Sequence, residues 1–121
     1  MGVYRTSYLV YGFKFKDKTD KKVFDDNYND LMENTPYWEF FNNTRSDQCL
    51  IFDAMSGDYV YIGIKLAKLD EWDDNISIEI SEDEIYKLKD KLNEYMKAWP
   101  DYVQNLCKGM IPKLYFFIHA Y

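Results

Sequence analysis

Between residues 58 and 66 the chain reads Asp-Tyr-Val-Tyr-Ile-Gly-Ile-Lys-Leu, with Val60, Ile62, Ile64 and Leu66 alternating against Tyr59, Tyr61, Gly63 and Lys65. Strand side chains point to opposite faces with a period of two, so the pattern predicts a strand with one buried face and one aromatic, half-polar face. The same alternation predicts a strand over residues 7–16, with Leu9, Tyr11, Phe13 and Phe15 opposed to Tyr8, Val10, Gly12 and Lys14. It also predicts one over 113–121, with Leu114, Phe116, Ile118 and Ala120 opposed to Tyr115, Phe117, His119 and Tyr121. Residues 49–54 predict another strand, joined to 58–66 through Ser56-Gly57-Asp58; two apolar runs linked by a short Gly-containing loop mark a hairpin. Ile76, Ile78 and Ile80 alternate with Ser77 and Glu79 and predict a further short strand at an edge.

Two segments change period. Over residues 20–33, Phe24, Tyr28, Leu31 and Met32 recur at helical spacing, with Asp20 placed as N-cap and Asn34-Thr35-Pro36 as the exit. Ser81-Glu82-Asp83-Glu84 is a capping box, and Ile85, Leu88, Leu92, Tyr95, Met96 and Trp99 follow on one stripe until Pro100. Residues 101–108 predict one or two further helical turns closed by Gly109. The aromatic run 37–41, Tyr-Trp-Glu-Phe-Phe, fits a short strand or a packed loop equally well.

The resulting order is β-α-β-β-α-β with an extra short edge strand: an α+β, ferredoxin-like sandwich with two helices on one face of an antiparallel sheet. The first and third strands are then central. Leu9, Tyr11, Phe13, Val60, Ile62, Ile64, Phe116 and Ile118 are expected to be buried against the Phe24 and Leu88 helices. A length of 121 residues, without repeats or a linker-like stretch, predicts a single domain, 1–121.

Composition narrows the function classes. The aromatic fraction is 19%, and 15 basic against 21 acidic residues give a net charge of −6. That balance opposes phosphate-driven nucleic-acid binding. Abundant Lys, Asn, Ile and Tyr reflect an AT-rich coding bias of the kind found in low-GC bacteria and their phages. Cys49 and Cys107 match no metal or redox spacing and are expected to be reduced, buried thiols of a cytoplasmic protein. No targeting signal is read at the N-terminus, and no run approaches the ~20 apolar residues of a membrane span.

Three features could carry chemistry. The sheet face opposite the helices gathers Tyr8, Val10, Tyr59, Tyr61, Tyr115, Phe117, His119 and Tyr121, with Lys14 and Lys65 at its margin. Three occupants are expected for it: a segment of the chain itself (37–41 or 101–108), a protein partner including a second copy, or stacked bases. In architecture the last resembles RRM domains, whose exposed aromatics on this face stack bases, although the basic-Gly-aromatic consensus of that family is missing from the central strand. The second feature is the acidic stretch 70–84, with Asp70, Glu71, Asp73, Asp74, Glu79, Glu82, Asp83 and Glu84 and no Lys or Arg. It reads as solvated loop and helix N-terminal acids, or as a docking surface for a basic, nucleic-acid-binding partner. It does not fit a calcium loop. The third is His119, the single histidine, for which no nucleophile or orienting carboxylate is identified.

Motifs for phosphate loops, nucleophile elbows and zinc helices are missing. The sequence therefore predicts a small acidic binding protein, not an enzyme, with neither cofactor nor metal. It acts through protein–protein contact, as a possible homodimer or as a phage-encoded inhibitor of a host nucleic-acid enzyme or defence complex. The expected partner-binding residues are Tyr8, Tyr59, Tyr61, Tyr115, Phe117, His119, Tyr121, Asp70, Glu71, Asp73 and Asp74. The alternatives are an RRM-like single-strand binder and a small enzyme built around His119.

Overall fold

The computed structural model describes residues 5–43, 45–53, 57–70 and 77–120. The chain runs β1 (Arg5–Phe15), α1 (Lys18–Asp26), α2 (Tyr28–Glu33), α3 (Tyr37–Phe41), β2 (Gln48–Phe52), β3 (Val60–Asp70), α4 (Glu82–Met96), α5 (Asp101–Cys107) and β4 (Lys113–Ala120). It is an α+β fold. The four strands form one antiparallel sheet in the order β2-β3-β1-β4, so the first and third strands of the expected four, β1 and β3, are central.

The helices depart from the expected pair. The first predicted helix begins three residues earlier, because Asp17 rather than Asp20 is the cap: its carboxylate accepts from the Thr19 amide at 2.8 Å. It also breaks at Asn27, whose side-chain amide donates to the Val23 carbonyl at 2.8 Å. Asn competes with the backbone for such bonds and so favours helix ends. The aromatic run 37–41 is a short helix, α3, and its Phe41 packs on Trp99. Ser81 is the N-cap, as expected: its hydroxyl accepts from the Glu84 amide at 3.3 Å and starts α4.

The extra edge strand is not present among the described residues. Ser77 to Ile80 carry no strand, and Ile76 lies outside the described residues. Ile78 and Ile80 instead line a groove of about 340 Å³ with Leu66 and Leu88. Their alternation is met by packing beside α4, without strand pairing.

The main core lies between the sheet and the helices. Phe13 opposite Ile62 and Tyr11 opposite Ile64 meet Phe24, Leu31, Leu92, Trp99 and Val103. Trp99 reaches this interior with its polar end satisfied, the indole N–H donating to Gln48 Oε1 at 2.8 Å. The helical layer leans to one side: α3 packs on β2 and α4 on β3. Phe116 and Ile118, predicted to be buried with this core, are therefore 72% and 59% exposed. Their parity is right, since Phe116 stands opposite Leu9 and Ile118 opposite Ser7, but the helices pack chiefly on β2 and β3 and leave these two side chains in water.

The sheet is sharply curled. Phe117 stands opposite Tyr8, and Tyr61 stands opposite Lys14, six residues further along β1. In a flat strand that offset is about 20 Å. Yet the rings of Tyr61 and Phe117 stack in parallel with centroids 3.7 Å apart. Two local features allow the curl. Gly12 and Gly63 stand opposite one another, where a Cβ on either would overlap the neighbouring backbone. Leu66 is skipped in the pairing between Leu9–Ala67 and Val10–Lys65, a bulge that strengthens the local bend.

Candidate interaction surfaces

The curl turns the aromatic face into the concave side of the sheet. Val10, Cys49, Ile51 and Tyr61 are buried there, and Tyr8, Tyr59, Tyr115 and Phe117 pack around them half-buried. Tyr8 stacks on Phe117 at 5.5 Å, Tyr115 meets Tyr61 edge-on at 5.4 Å, and Lys14 sits over the Tyr61 ring at 5.2 Å. Such arrangements suit the ring quadrupole and make a second apolar cluster behind the first.

Of the residues expected to bind a partner, Tyr8, Tyr59, Tyr61, Tyr115, Phe117 and His119 are brought together, but in this cluster, not on an open platform. Tyr61 is only 4% exposed. Neither of the segments expected to cover the face does so. Residues 37–41 and 101–107 pack into the helical core through Phe41, Val103 and Cys107, and the sheet closes over its own rings. Tyr121, Glu71, Asp73 and Asp74 lie outside the described residues. Asp70 ends β3 half-buried and accepts from the Thr6 hydroxyl at 3.1 Å.

His119 is buried against the rings of Tyr8 and Tyr59, and its Nδ1 lies 3.1 Å from the Tyr59 hydroxyl. Burial holds the imidazole below its ordinary pKa, opposed by the nearby Asp53 carboxylate. Burial first, then Asp53 and Tyr61, pushes the Tyr59 phenol up to about 12. Both groups thus favour their neutral forms, and the pair is a neutral hydrogen bond inside an aromatic cluster. Asp53 is the carboxylate that sequence reasoning could not place beside His119. Its signal, a position just past a strand that pairs with the Tyr59 segment, becomes readable only once the hairpin register is known.

Among the described residues, clefts and one bare surface lie outside this cluster or at its edge. The groove beside α4 combines the apolar floor of Leu66, Ile78, Ile80 and Leu88 with Glu84, Lys87 and Lys91 at its rim. A second cleft, about 510 Å³, brings Tyr8 and His119 beside Leu50, Ile51 and Phe52 of β2, across the open seam of the curled sheet. The bare surface is the convex side of β4. Leu114, Phe116 and Ile118 all point outward from it, and Ile78 and Leu9 border Phe116.

Among the described residues no group of three or more His, Cys, Asp or Glu could hold a metal ion, and no helix is long and apolar enough to cross a membrane. Both cysteines are buried and unpaired, and burial pushes each thiol up to about 12, away from nucleophilic use. Comparison with protein-family models, with curated proteins and with solved structures returns no match.

Proposed function

We propose that this chain is a non-enzymatic binding protein that holds another polypeptide on the β4 side of its sheet. One observation carries this reading: β4 is an edge strand whose convex face leaves Phe116 72% and Ile118 59% in water. An edge strand exposes unpaired N–H and C=O groups, and proteins ordinarily guard such edges with charge, Pro or a bulge. β4 has none of these within its span after Lys113: it reads Leu-Tyr-Phe-Phe-Ile-His-Ala. An extended segment added at this edge gains main-chain hydrogen bonds and covers the apolar row. The aromatic face is a poorer docking surface, because Tyr61 is buried there and its neighbouring rings pack on one another.

The fold reading that accompanies this is ferredoxin-like. Counted from the other edge the strands run β4-β1-β3-β2 with every neighbouring pair antiparallel, and helices fill both the β1–β2 and β3–β4 connections. The two unpaired thiols favour a reducing, cytoplasmic setting.

The test is selection from a display library of extended peptides on immobilised protein, with counter-selection on Phe116→Asp. Enriched sequences rich in β-branched and aromatic residues, lost on Phe116→Asp and protecting β4 amides from hydrogen exchange, support the reading. Enriched peptides that bind the variant equally well, or no enrichment at all, overturn it.

A further inference from the structure

We infer that the polypeptide taken up at β4 is a second copy of this chain, its own β4 paired antiparallel with the first to continue the sheet through a two-fold axis at Phe116. This rests on the reading of β4 as the docking edge and gives that edge a specific occupant.

The order of side chains along β4 is self-complementary. Antiparallel partners that stand opposite one another share a face. With the axis at Phe116, that residue meets the partner's Phe116, and Leu114 meets the partner's Ile118. All three outward-facing residues of one copy then find an apolar residue of the other. On the concave side Tyr115 meets the partner's Phe117, a pair of rings. No carboxylate enters the pairing, because β4 contains none. A shift that sets Phe116 opposite the partner's Ile118 also pairs seven residues but puts Leu114 opposite Ala120, and the opposite shift pairs only residues 113–117, so the register centred on Phe116 is the one that sets all three large apolar residues against one another.

Charge points the same way. At −6 the chain repels a second copy, and β4, like the other edge strand β2, brings no Asp or Glu into the contact; of the two edges only β4 also leaves a row of large apolar side chains in water. Area bounds the strength. The exposed parts of Leu114, Phe116, Ile118 and the neighbouring Ile78 amount to roughly 400 Å² per copy, since an aromatic side chain alone offers about 150–250 Å². A standard stable interface covers about 800 Å² per partner. The strand backbone makes up part of the difference, so the dimer is a reversible, concentration-dependent one. His119, near the far end of β4, lines the cleft toward β2, whereas Phe116 at the axis is 72% exposed.

The experiment has two arms. Sedimentation velocity on the wild-type protein from micromolar to millimolar concentration is expected to show the mass doubling. Phe116→Asp keeps the mass of one chain throughout while its circular dichroism is unchanged. In the second arm, Phe116→Cys under mild oxidation is expected to give a disulfide-linked two-chain species, because equivalent positions face each other at the axis. Leu114→Cys alone gives no such species, whereas Leu114→Cys/Ile118→Cys does, since those two positions meet across the pair. Cys49 and Cys107 are buried and do not compete.

A one-chain mass at every concentration together with no Phe116→Cys cross-link overturns the inference. So does a doubled mass that survives Phe116→Asp, which places self-association elsewhere. Selected peptides that still bind β4 of a monomeric protein leave the docking edge standing and remove only the second copy. Loss of both removes both.

Discussion

Gly12 on β1 stands directly opposite Gly63 on β3, and each occupies a place where even a methyl group would collide with the backbone of the other strand. The pair sits where the sheet folds toward its concave side, so close backbone approach is a condition of the curl. Relief of an overlap with backbone requires the strands to part. Gly12→Ala and Gly63→Ala are each expected to lower stability by at least ~2 kcal/mol, toward the upper part of the range for overpacking. Denaturant titration reads this directly; wild-type stability in either variant would mean that the strands do not approach so closely.

Adjacent phenylalanines on β4 have opposite fates. Phe117 stacks on Tyr61 inside the concave cluster, whereas Phe116 is largely in water. Phe117→Ala should cost about 2–4 kcal/mol, as large-to-small changes in packed sites do. Phe116→Ala, measured in dilute protein, should stay within about 0.5 kcal/mol of wild type, as exposed substitutions do. Comparable losses at the two positions would contradict the curl.

The buried bond from Trp99 to Gln48 ties the turn after α4 to the start of β2. Gln48→Leu leaves the indole N–H without an acceptor and is expected to cost about 1–3 kcal/mol. The double variant Gln48→Leu/Trp99→Phe should lose less than the two single losses combined, because the stranded donor is gone. Simple additivity in this cycle would show that the bond contributes nothing.

Acid should act in two stages. The His119 imidazole titrates lower in the folded chain than in the unfolded one. Below the unfolded value of about 6.5 the unfolded chain therefore binds more protons, and stability falls with pH until the folded value is reached. Asp47, which burial would raise, is held low overall by Lys91 and by the Tyr95 hydroxyl at 2.6 Å. Its contribution is present above the unfolded carboxylate value and is lost as pH falls through the lower folded one. Thermal melts at pH 5 and pH 7.5 test the first stage. The difference between them should shrink in His119→Asn, which keeps an acceptor near Tyr59 but does not titrate. An unchanged difference assigns the slope to other groups.

The strands and the capped helix α4 were legible because alternation and the Ser81–Glu84 box are local signals. The helix break at Asn27 and the cap at Asp17 were less so, since several Asp and Asn residues there compete for the same role. The buried or exposed state of β4 was not legible. Alternation assigns Phe116 and Phe117 to opposite faces but does not say which face the helices reach. The curl was hidden for a related reason: Gly12 and Gly63 are isolated glycines far apart in sequence, and their meaning appears only when the register sets them opposite one another. The aromatic residues were thus grouped correctly on one face, while their surroundings depended on that bend.

β1 supplies Tyr11, Phe13 and Phe15 to the helical core and Val10 to the concave cluster. The two apolar clusters lie back to back with β1, β2 and β3 between them, since Leu50 faces the core while Cys49 and Ile51 face the concave side, and Ile62 and Ile64 face the core while Tyr61 faces the concave side, so neither can lose its packing without disturbing the other's wall. The molecule is accordingly expected to unfold as one cooperative unit, without a state in which only one cluster has melted. The amides of Val10 to Phe13 should exchange with solvent only when the whole chain opens, and native-state hydrogen exchange should place them among the slowest.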